Sequence, residues 1–472
     1  MIPLRITRRA QAGSETSDRP DYLPGIFIVK VKQGLVADLP DLNTASVATL
    51  RSLRLPDPIE EPFRELRRQR LIQAVIPVFA DVPAQGIVAA AAGGAGLAST
   101  ATAGYSTGSR THAVAFAKSV REVEDKDLQG INLVRVTSKT EVAPIIKELK
   151  SVRGVQYCEP VPARWAATAT PVPGTVNPMV NRQWGLRAIH WFDTGLNLDA
   201  SQVNVAVLDT GVDLSHPDLG SSVIASYDHD GVSEEDIVGH GTHVCGIIAA
   251  NPKNRVGVTG ISNCKIHVWK IFRETPESDG EFYVDELPYL RALRAVQTAG
   301  MRVLNLSIAG RKSSSTEQML FQKLMAAEIV VVSAMGNDYE RGNPTAYPAA
   351  YGGVVAVGAT NETDNRALFS NTGNHIAMSA PGTNILSTLP IKTSIYRPLA
   401  DQTGYASWNG TSMAAPHVTA AASLLLAAKP RLSARDIIDR LKSTAAAVPA
   451  MSGRKRTAEL GSGLLDLRAA VN

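Results

Sequence analysis

The stretch Asn409-Gly-Thr-Ser412-Met-Ala-Ala-Pro-His417 runs without a break into the apolar segment from Val418 to Ala428, and it constrains this chain more than any other. The segment predicts a buried helix, and the small residues before it predict a loop that delivers Ser412 onto the first turn. There the positive end of the helix dipole and unpaired backbone N–H groups favour negative charge. A serine in that position is either a helix cap or a nucleophile held ready.

A serine hydroxyl is a weak nucleophile at neutral pH, so the second reading requires a base and a group to orient that base. Two upstream motifs supply candidates. Val205-Ala-Val-Leu-Asp209-Thr-Gly211 reads as a buried strand ending in a carboxylate at a tight turn, and His240-Gly-Thr-His243 opens a second helix-like run. Val330-Val-Val-Ser-Ala-Met-Gly-Asn337 adds an asparagine at a strand end, where its amide can be a preorganised donor or can simply suit the turn. Competing readings fare worse. Asp193-Thr-Gly195 repeats the Asp-Thr-Gly at 209–211, as a two-lobed aspartic protease would, but the copies lie too close together to build two lobes. His240 and His243 invite zinc, yet the glutamate of His-Glu-x-x-His and a nearby third ligand are missing. An esterase of the α/β-hydrolase kind requires Gly-x-Ser-x-Gly around its nucleophile, and Gly410-Thr-Ser-Met-Ala414 is not that.

With its candidates in the order Asp209, His240, Ser412, the chain resembles the subtilisin-like serine proteases. The resemblance implies that Ser412 attacks a peptide carbonyl, that His240 takes and returns the proton, that Asp209 holds the imidazole, and that Asn337 binds the oxyanion with the Ser412 N–H. Leu306-Ser307-Ile308-Ala309-Gly310 is similar to the family's substrate-pairing edge, with Ala309 replacing a glycine, so side-chain preference is expected to narrow while catalysis survives. A second edge is expected along Ser278 to Tyr283, including Gly280. Tyr347-Pro-Ala-Ala-Tyr351 resembles the wall of the main specificity pocket, with Ala346 at its base and Asp338 near its mouth. Asp218 and Asn254 fall where many relatives bind a structural calcium, although Asn251-Pro-Lys-Asn-Arg255 departs from the usual loop by introducing two cations. No other cofactor is required. The acidic run from Glu274 to Glu286 is either a solvated loop or a rim that attracts basic substrate residues.

At 472 residues the chain is long enough for two units, and 44% hydrophobic against 19% charged residues describes a globular protein with a large core. A net charge of +4 without a long basic run gives no support to nucleic-acid or membrane-surface partners. The odd, sparse set Cys158, Cys245 and Cys264 suits a reducing compartment, and the first residues lack the apolar core of a signal peptide. No uninterrupted apolar run reaches membrane-spanning length. These features predict a cytoplasmic protein, or a secreted one if a leader has been trimmed.

Residues 1–22 read as a loose polar tail. Strand, helix and strand signals then occur twice, at Ile26 to Lys32, Glu61 to Leu71 and Ile72 to Phe79, and again at Ile131 to Val136, Glu141 to Val152 and Val155 to Cys158. The tandem repeat predicts a small ferredoxin-like α+β domain over 23–160, interrupted by a long Ala/Gly-rich insertion at 81–129. Its closing phrase Gly154-Val-Gln-Tyr-Cys-Glu-Pro160 resembles the end of inhibitory propeptides of the same family, which implies that this domain is an intramolecular inhibitor. Residues 161–178 read as an extended, proline-containing linker in which autocleavage is expected between Glu159 and Pro178. Residues 179–472 alternate short apolar strands with helical stretches, which predicts an α/β domain with a mostly parallel sheet covered on both faces and its ligands at the carboxyl ends of strands. The expected function is a serine endopeptidase made as an autoinhibited zymogen that acts on proteins or peptides. The alternative is a permanently closed, protease-like binding or regulatory protein.

Overall fold

Alternating apolar residues make the first strand two-faced, and both of its faces are covered. In the computed structural model, which describes residues 21–31, 72–78, 128, 130–136, 141–152, 154–166, 180–194, 198–230, 233–252, 254–277, 281–391 and 404–472, strand β1 spans Tyr22–Val31. It joins β2 (Ile72–Pro77), β3 (Ile131–Val136) and β4 (Val155–Pro162) in an antiparallel sheet of order β2-β3-β1-β4. That is the strand order of a ferredoxin-like sheet. Helix α1 (Val142–Lys150) lays Ile145, Ile146 and Leu149 over the Phe27, Val29 and Val134 face. The opposite face, carrying Ile26, Ile28, Ile131 and Leu133, packs on residues from far along the chain. The expected helix at 61–71, the tail through residue 20 and nearly all of the 81–129 insertion lie outside the described residues, as do linker residues 167–179 and Gly280.

After a two-residue strand β5 (Trp165–Ala166), the carboxy-terminal part builds one parallel sheet of seven strands. These are β6 (Asn204–Asp209), β7 (Ile224–Asp228), β8 (Lys265–Lys270), β9 (Val303–Leu306), β11 (Val330–Ala334), β12 (Val355–Thr360) and β13 (Ile376–Pro381); the short β10 (Ile308–Ala309) follows β9 but pairs elsewhere. Their order is β13-β12-β11-β9-β6-β8-β7. Strands such as Val205-Ala-Val-Leu208 are fully buried without alternation, because helices cover both faces. On one side lie α2 (His240–Ala249) and, beyond a hairpin of β14 (Ile385–Thr388) and β15 (Tyr405–Trp408), a long helix at Thr411–Ala428. On the other side lie α3 (Glu286–Thr298) and α4 (Ser315–Ala326), and the amino-terminal sheet packs outside them through Tyr289, Leu290, Leu293, Leu320 and Phe321. We number the Thr411–Ala428 helix α5 and the amphipathic Ala434–Ser443 helix α6.

The strand expected to end at Asp209 is β6, the one expected before Asn337 is β11, and the expected buried helix with Ser412 on its first turn is Thr411–Ala428; the strand expected from Ile26 begins earlier, at Tyr22, and the one expected to end at Cys158 runs on to Pro162. No sequence signal read above marks β7, β13, the β14-β15 hairpin or α6, which are short or sit at the margins of the domain. Helix α5 has the length and composition to cross a membrane, but Ser412, Pro416, His417 and Thr419 interrupt its apolar residues, and 89% of it is buried inside the protein, where it is the central core helix.

Candidate active site

Three adjacent strands of the parallel sheet, β11, β9 and β6, carry Asn337, Ser307 and Asp209 at or just beyond their carboxyl ends. An open parallel sheet collects its functional groups at that edge, because the loops leaving the strands all open there. Asp209 Oδ1 accepts from His240 Nδ1 at 2.6 Å and from the Thr210 N–H at 2.7 Å, and both carboxylate and imidazole are fully buried. The His240 ring lies beside Trp408 at a centroid distance of 6.2 Å. Its Nε2, the atom that would meet a hydroxyl, has no hydrogen-bond partner.

The close approach of α2 to the end of β6 depends on Gly241. A Cβ there would fall 2.1 Å from the Gly211 carbonyl and 3.1 Å from Asp209 Cβ, so any side chain would force the histidine helix away from the carboxylate. Asp236, which the sequence does not single out, ties the same loops together. Its fully buried carboxylate accepts from Thr210 Oγ1, the Gly239 N–H, the Thr242 N–H and Thr242 Oγ1 at 2.7–2.9 Å. Thr210 Oγ1 in turn accepts from the Gly241 N–H at 2.9 Å. Burial pushes the Asp236 carboxyl upward, and these hydrogen bonds pull against it. A single aspartate in a loop has no periodic signal, so only the fold reveals this role.

Ser412 enters at the second position of α5, buried, after Gly410 at φ +152°. Its Oγ donates to the Ser307 carbonyl at 2.9 Å, and Ser307 Oγ donates back to the Ser412 carbonyl at 2.9 Å. Pro416 explains why that carbonyl is open to Ser307. Four residues on, a proline has no N–H to close the helical bond, so the Ser412 oxygen takes a side-chain donor instead. Asn337 Oδ1 accepts from the Thr411 N–H at 2.9 Å and from Thr411 Oγ1 at 2.8 Å, which locks its amide against the same turn. His243 is excluded as a metal partner of His240 by its surroundings. It stacks on Trp408 at 4.9 Å, with Nε2 at 3.1 Å from the Ala406 carbonyl, and burial pushes its imidazole down to about 3.

The cleft beside Ser307 is filled by the chain itself. Trp165 and Ala166 pair antiparallel with Ala309 and Ile308, the Val284 N–H donates to the Arg164 carbonyl at 3.0 Å, and Trp165 bridges to Tyr283. Residues 164–166 thus form the middle strand between two edges. Gly310 permits this, since a Cβ there would lie 2.4 Å from the Ala163 carbonyl. The methyl of Ala309 does not prevent the pairing. The second edge is Tyr283 and Val284, at the very end of the expected stretch and beyond it.

Among the described residues most of the acidic run is engaged. Lys270 and Arg273 pair with Glu274 and Glu277, the Asp285 carboxylate accepts from the Leu287 N–H as the cap of α3, and Glu286 is buried. Asp338 is also buried, with Arg341 at 3.4 Å and its backbone N–H held by Asn371, and Ala346 is buried close to Gly336.

At the expected calcium position, Asp218 Oδ2 accepts from the Val258 N–H at 3.0 Å and Tyr405 Oη at 2.9 Å, while Oδ1 takes the Asn254 amide N–H. A carboxylate already engaged by three donors, beside an amide that presents nitrogen, does not fit a calcium ion. Among the described residues no group of three or more His, Cys, Asp or Glu side chains gathers as a metal site. All three cysteines are buried and unpaired, and burial raises the Cys245 thiol well above its ordinary range, so it packs rather than reacts. Such buried thiols say little about the redox state outside, and cysteine usage does not decide the compartment.

The sequence model of the Subtilase family matches residues 200–463, more than half of the chain. This chain belongs to the subtilase family. It is similar to subtilisin DY of Bacillus licheniformis, with 38% identity over 254 residues, 52% of this chain and 84% of that protein. Subtilisin amylosacchariticus of Bacillus subtilis subsp. amylosacchariticus is 35% identical over 278 residues, 57% of this chain but only 66% of the relative. Among solved structures, fervidolysin from Fervidobacterium pennivorans, a keratinolytic enzyme related to subtilisin, superposes with a TM-score of 0.60 at 28% identity, covering 72% of this chain and 56% of fervidolysin. The subtilase thus spans little more than half the length of that structure.

Proposed function

We propose that this subtilase is a serine endopeptidase held closed by its own amino-terminal part. The observation that carries the reading is the strand Arg164–Ala166, which lies in the cleft as an extended substrate lies, hydrogen-bonded on both sides and heading for Ser412. Ser412 attacks the peptide carbonyl after its hydroxyl turns from the Ser307 carbonyl to His240 Nε2. His240 takes the proton and returns it to the leaving amine, and Asp209 fixes the tautomer through Nδ1 and stabilises the imidazolium. The NH2 group of Asn337, whose oxygen is tied to Thr411, and the Ser412 N–H receive the oxyanion. Water then releases the acyl group. The substrate is a protein or peptide chain bound as an added strand along Ser307–Gly310 on one side and Tyr283–Val284 on the other.

The division into an inhibitory domain at 23–160, a cleavable linker at 161–178 and a catalytic domain at 179–472 follows from the same reading. Trp165 faces Ala309 and Ala166 faces Ile308, so the next residue of a bound chain comes opposite Ser307, beside the nucleophile. The residue that follows Ala166 in the sequence is Ala167, and the bond after it is the proposed site of self-cleavage. Glu159 supports the docking. Its carboxylate accepts from Ser314 Oγ and the Ser315 and Thr316 N–H groups at 2.9–3.3 Å, at the start of α4, where a negative charge is favoured by the helix dipole.

The resting bond of Ser412 to Ser307 favours a second reading, a protease-like binding protein that never opens. A fluorophosphonate probe separates the two. The endopeptidase labels at Ser412 and hydrolyses an extended peptide, and Ser412→Ala does neither; a wild type that neither labels nor hydrolyses would favour the closed protein.

A further inference from the structure

Arg164 is a linker residue by sequence, yet its side chain is completely buried, and two buried glutamates from different helices meet it. Glu317 of α4 forms a hydrogen-bonded ion pair with Arg164 Nη2, and Glu286, the first residue of α3, lies 3.8 Å from Nη1. Nη1 also donates to the Pro162 carbonyl at 3.1 Å, and the guanidinium stands 5.8 Å from the centre of the Tyr289 ring. Tyr289 Oη and Tyr351 Oη each donate to a different oxygen of Glu317 at 2.5 Å, which fixes that carboxylate in place. Glu286 Oε1 has no partner, so the cage retains acceptor capacity.

All four cage residues belong to the part of the chain that matches the Subtilase family, and Arg164 is the occupant that arrives with the linker. We propose that Glu286, Glu317, Tyr289 and Tyr351 form an arginine-selective subsite that recognises a substrate residue three positions before the one whose carbonyl is attacked. This rests on the endopeptidase reading and the strand register given above, and it names the substrate class: chains with arginine at that position. The physical reason is the burial of the cage. An occupant without a guanidinium leaves the Glu317 carboxylate buried without its ion-pair partner, whereas the planar group sets Nη2 on Glu317 and turns Nη1 toward Glu286. Burial pushes the Glu286 carboxyl up to about 8 against the opposing pull of Arg164, so near neutral pH that side of the cage is largely a neutral acid and Glu317 supplies the principal ion pair. The same contact makes Arg164 the anchor of the inhibitory strand.

The test uses the full chain left to process itself, with two anilide peptides, Arg-Trp-Ala-Ala and Leu-Trp-Ala-Ala. The arginine peptide is expected to have the higher kcat/KM by roughly a hundred-fold, the order of effect of leaving buried charges unpaired. Glu317→Gln, and separately Glu286→Gln, should draw that ratio toward one. Equal kcat/KM for the two peptides in the wild type, or a ratio untouched by both substitutions, would overturn the proposal. If neither peptide is hydrolysed, the endopeptidase reading fails by itself and the subsite is judged by binding. In the full chain carrying Ser412→Ala, where residues 164–166 themselves occupy the cleft, Arg164→Leu should speed amide exchange at Val284, whose N–H donates to the carbonyl of residue 164, and Arg164→Lys should speed it less. Equal exchange in the parent and the leucine variant counts against an arginine subsite.

Discussion

Single residues decide what chemistry the cleft can perform, and Asn337 is the most exposed to test. Its oxygen is committed to Thr411, so what it adds to a reaction is a preoriented N–H donor. Asn337→Ala should lower kcat about 10²–10³-fold with little change in KM, a range taken from the equivalent kind of donor in subtilisin itself; a loss expressed mainly in KM would mean that the amide binds substrate instead. A pH effect follows from two other residues. Burial pushes the imidazoles of His243 and His417 down to about 3 and about 4, so both stay neutral in the fold while an unfolded chain protonates near 6.5. Below that pH the unfolded state binds more protons, and stability falls as pH falls, by up to about 1.4 kcal/mol per pH unit for each histidine. The loss continues to about 4 for His417 and about 3 for His243. Urea denaturation of Ser412→Ala at pH 7 and pH 5 checks this; an unchanged midpoint would contradict it. Asp209, His240, Ser412 and Asn337 were legible in the sequence because each sits in a motif at the end of an apolar run. Arg164 and Asp236 were not, since an arginine in Pro-Ala-Arg-Trp-Ala and an aspartate in a polar loop look like solvated residues until the fold buries them.

Elements hold these residues in register. Central strands such as β6 and β11 were readable as continuous apolar runs ending at Asp209 and before Asn337. The edges of the cleft were less so, because a two-residue strand like β10 has no period, and the second edge falls at Tyr283 and Val284, where a run of acids draws attention toward the preceding loop. Asp236 is the tie between elements whose loss should be most costly. Asp236→Ala strands donors from Thr210, Gly239 and Thr242 in the interior and should destabilise the fold by about 3 kcal/mol or more, read by urea unfolding in the Ser412→Ala background. A change under about 0.5 kcal/mol would mean that water replaces the carboxylate. At the start of α4 the outer contact is weaker. Glu159→Ala removes a charge from a helix amino terminus, worth about 0.5–2 kcal/mol, and should speed dissociation of the cleaved amino-terminal part by up to about thirty-fold without altering the cleavage position. Unchanged dissociation would show that Glu159 adds nothing to docking.

At the scale of the whole molecule, one apolar cluster runs from Ile26, Ile28 and Leu133 through α3 and α4 to Leu208 of β6. The amino-terminal sheet uses α1 to cover one face and the carboxy-terminal part to cover the other. A ferredoxin-like pattern by itself fixes no function, and the inhibitory role proposed above rests on this packing. The linker completes the arrangement by entering the cleft as a strand and lodging Arg164 between Glu286 and Glu317. In the proposed function the nucleophile cuts its own tether while the tether is docked as substrate. Intact mass and amino-terminal sequencing of freshly purified wild type beside Ser412→Ala test this. The expected result is a wild-type break that leaves Thr168 as a new amino terminus and a mutant that stays whole. Two uncut chains, or the same break in both, would contradict it.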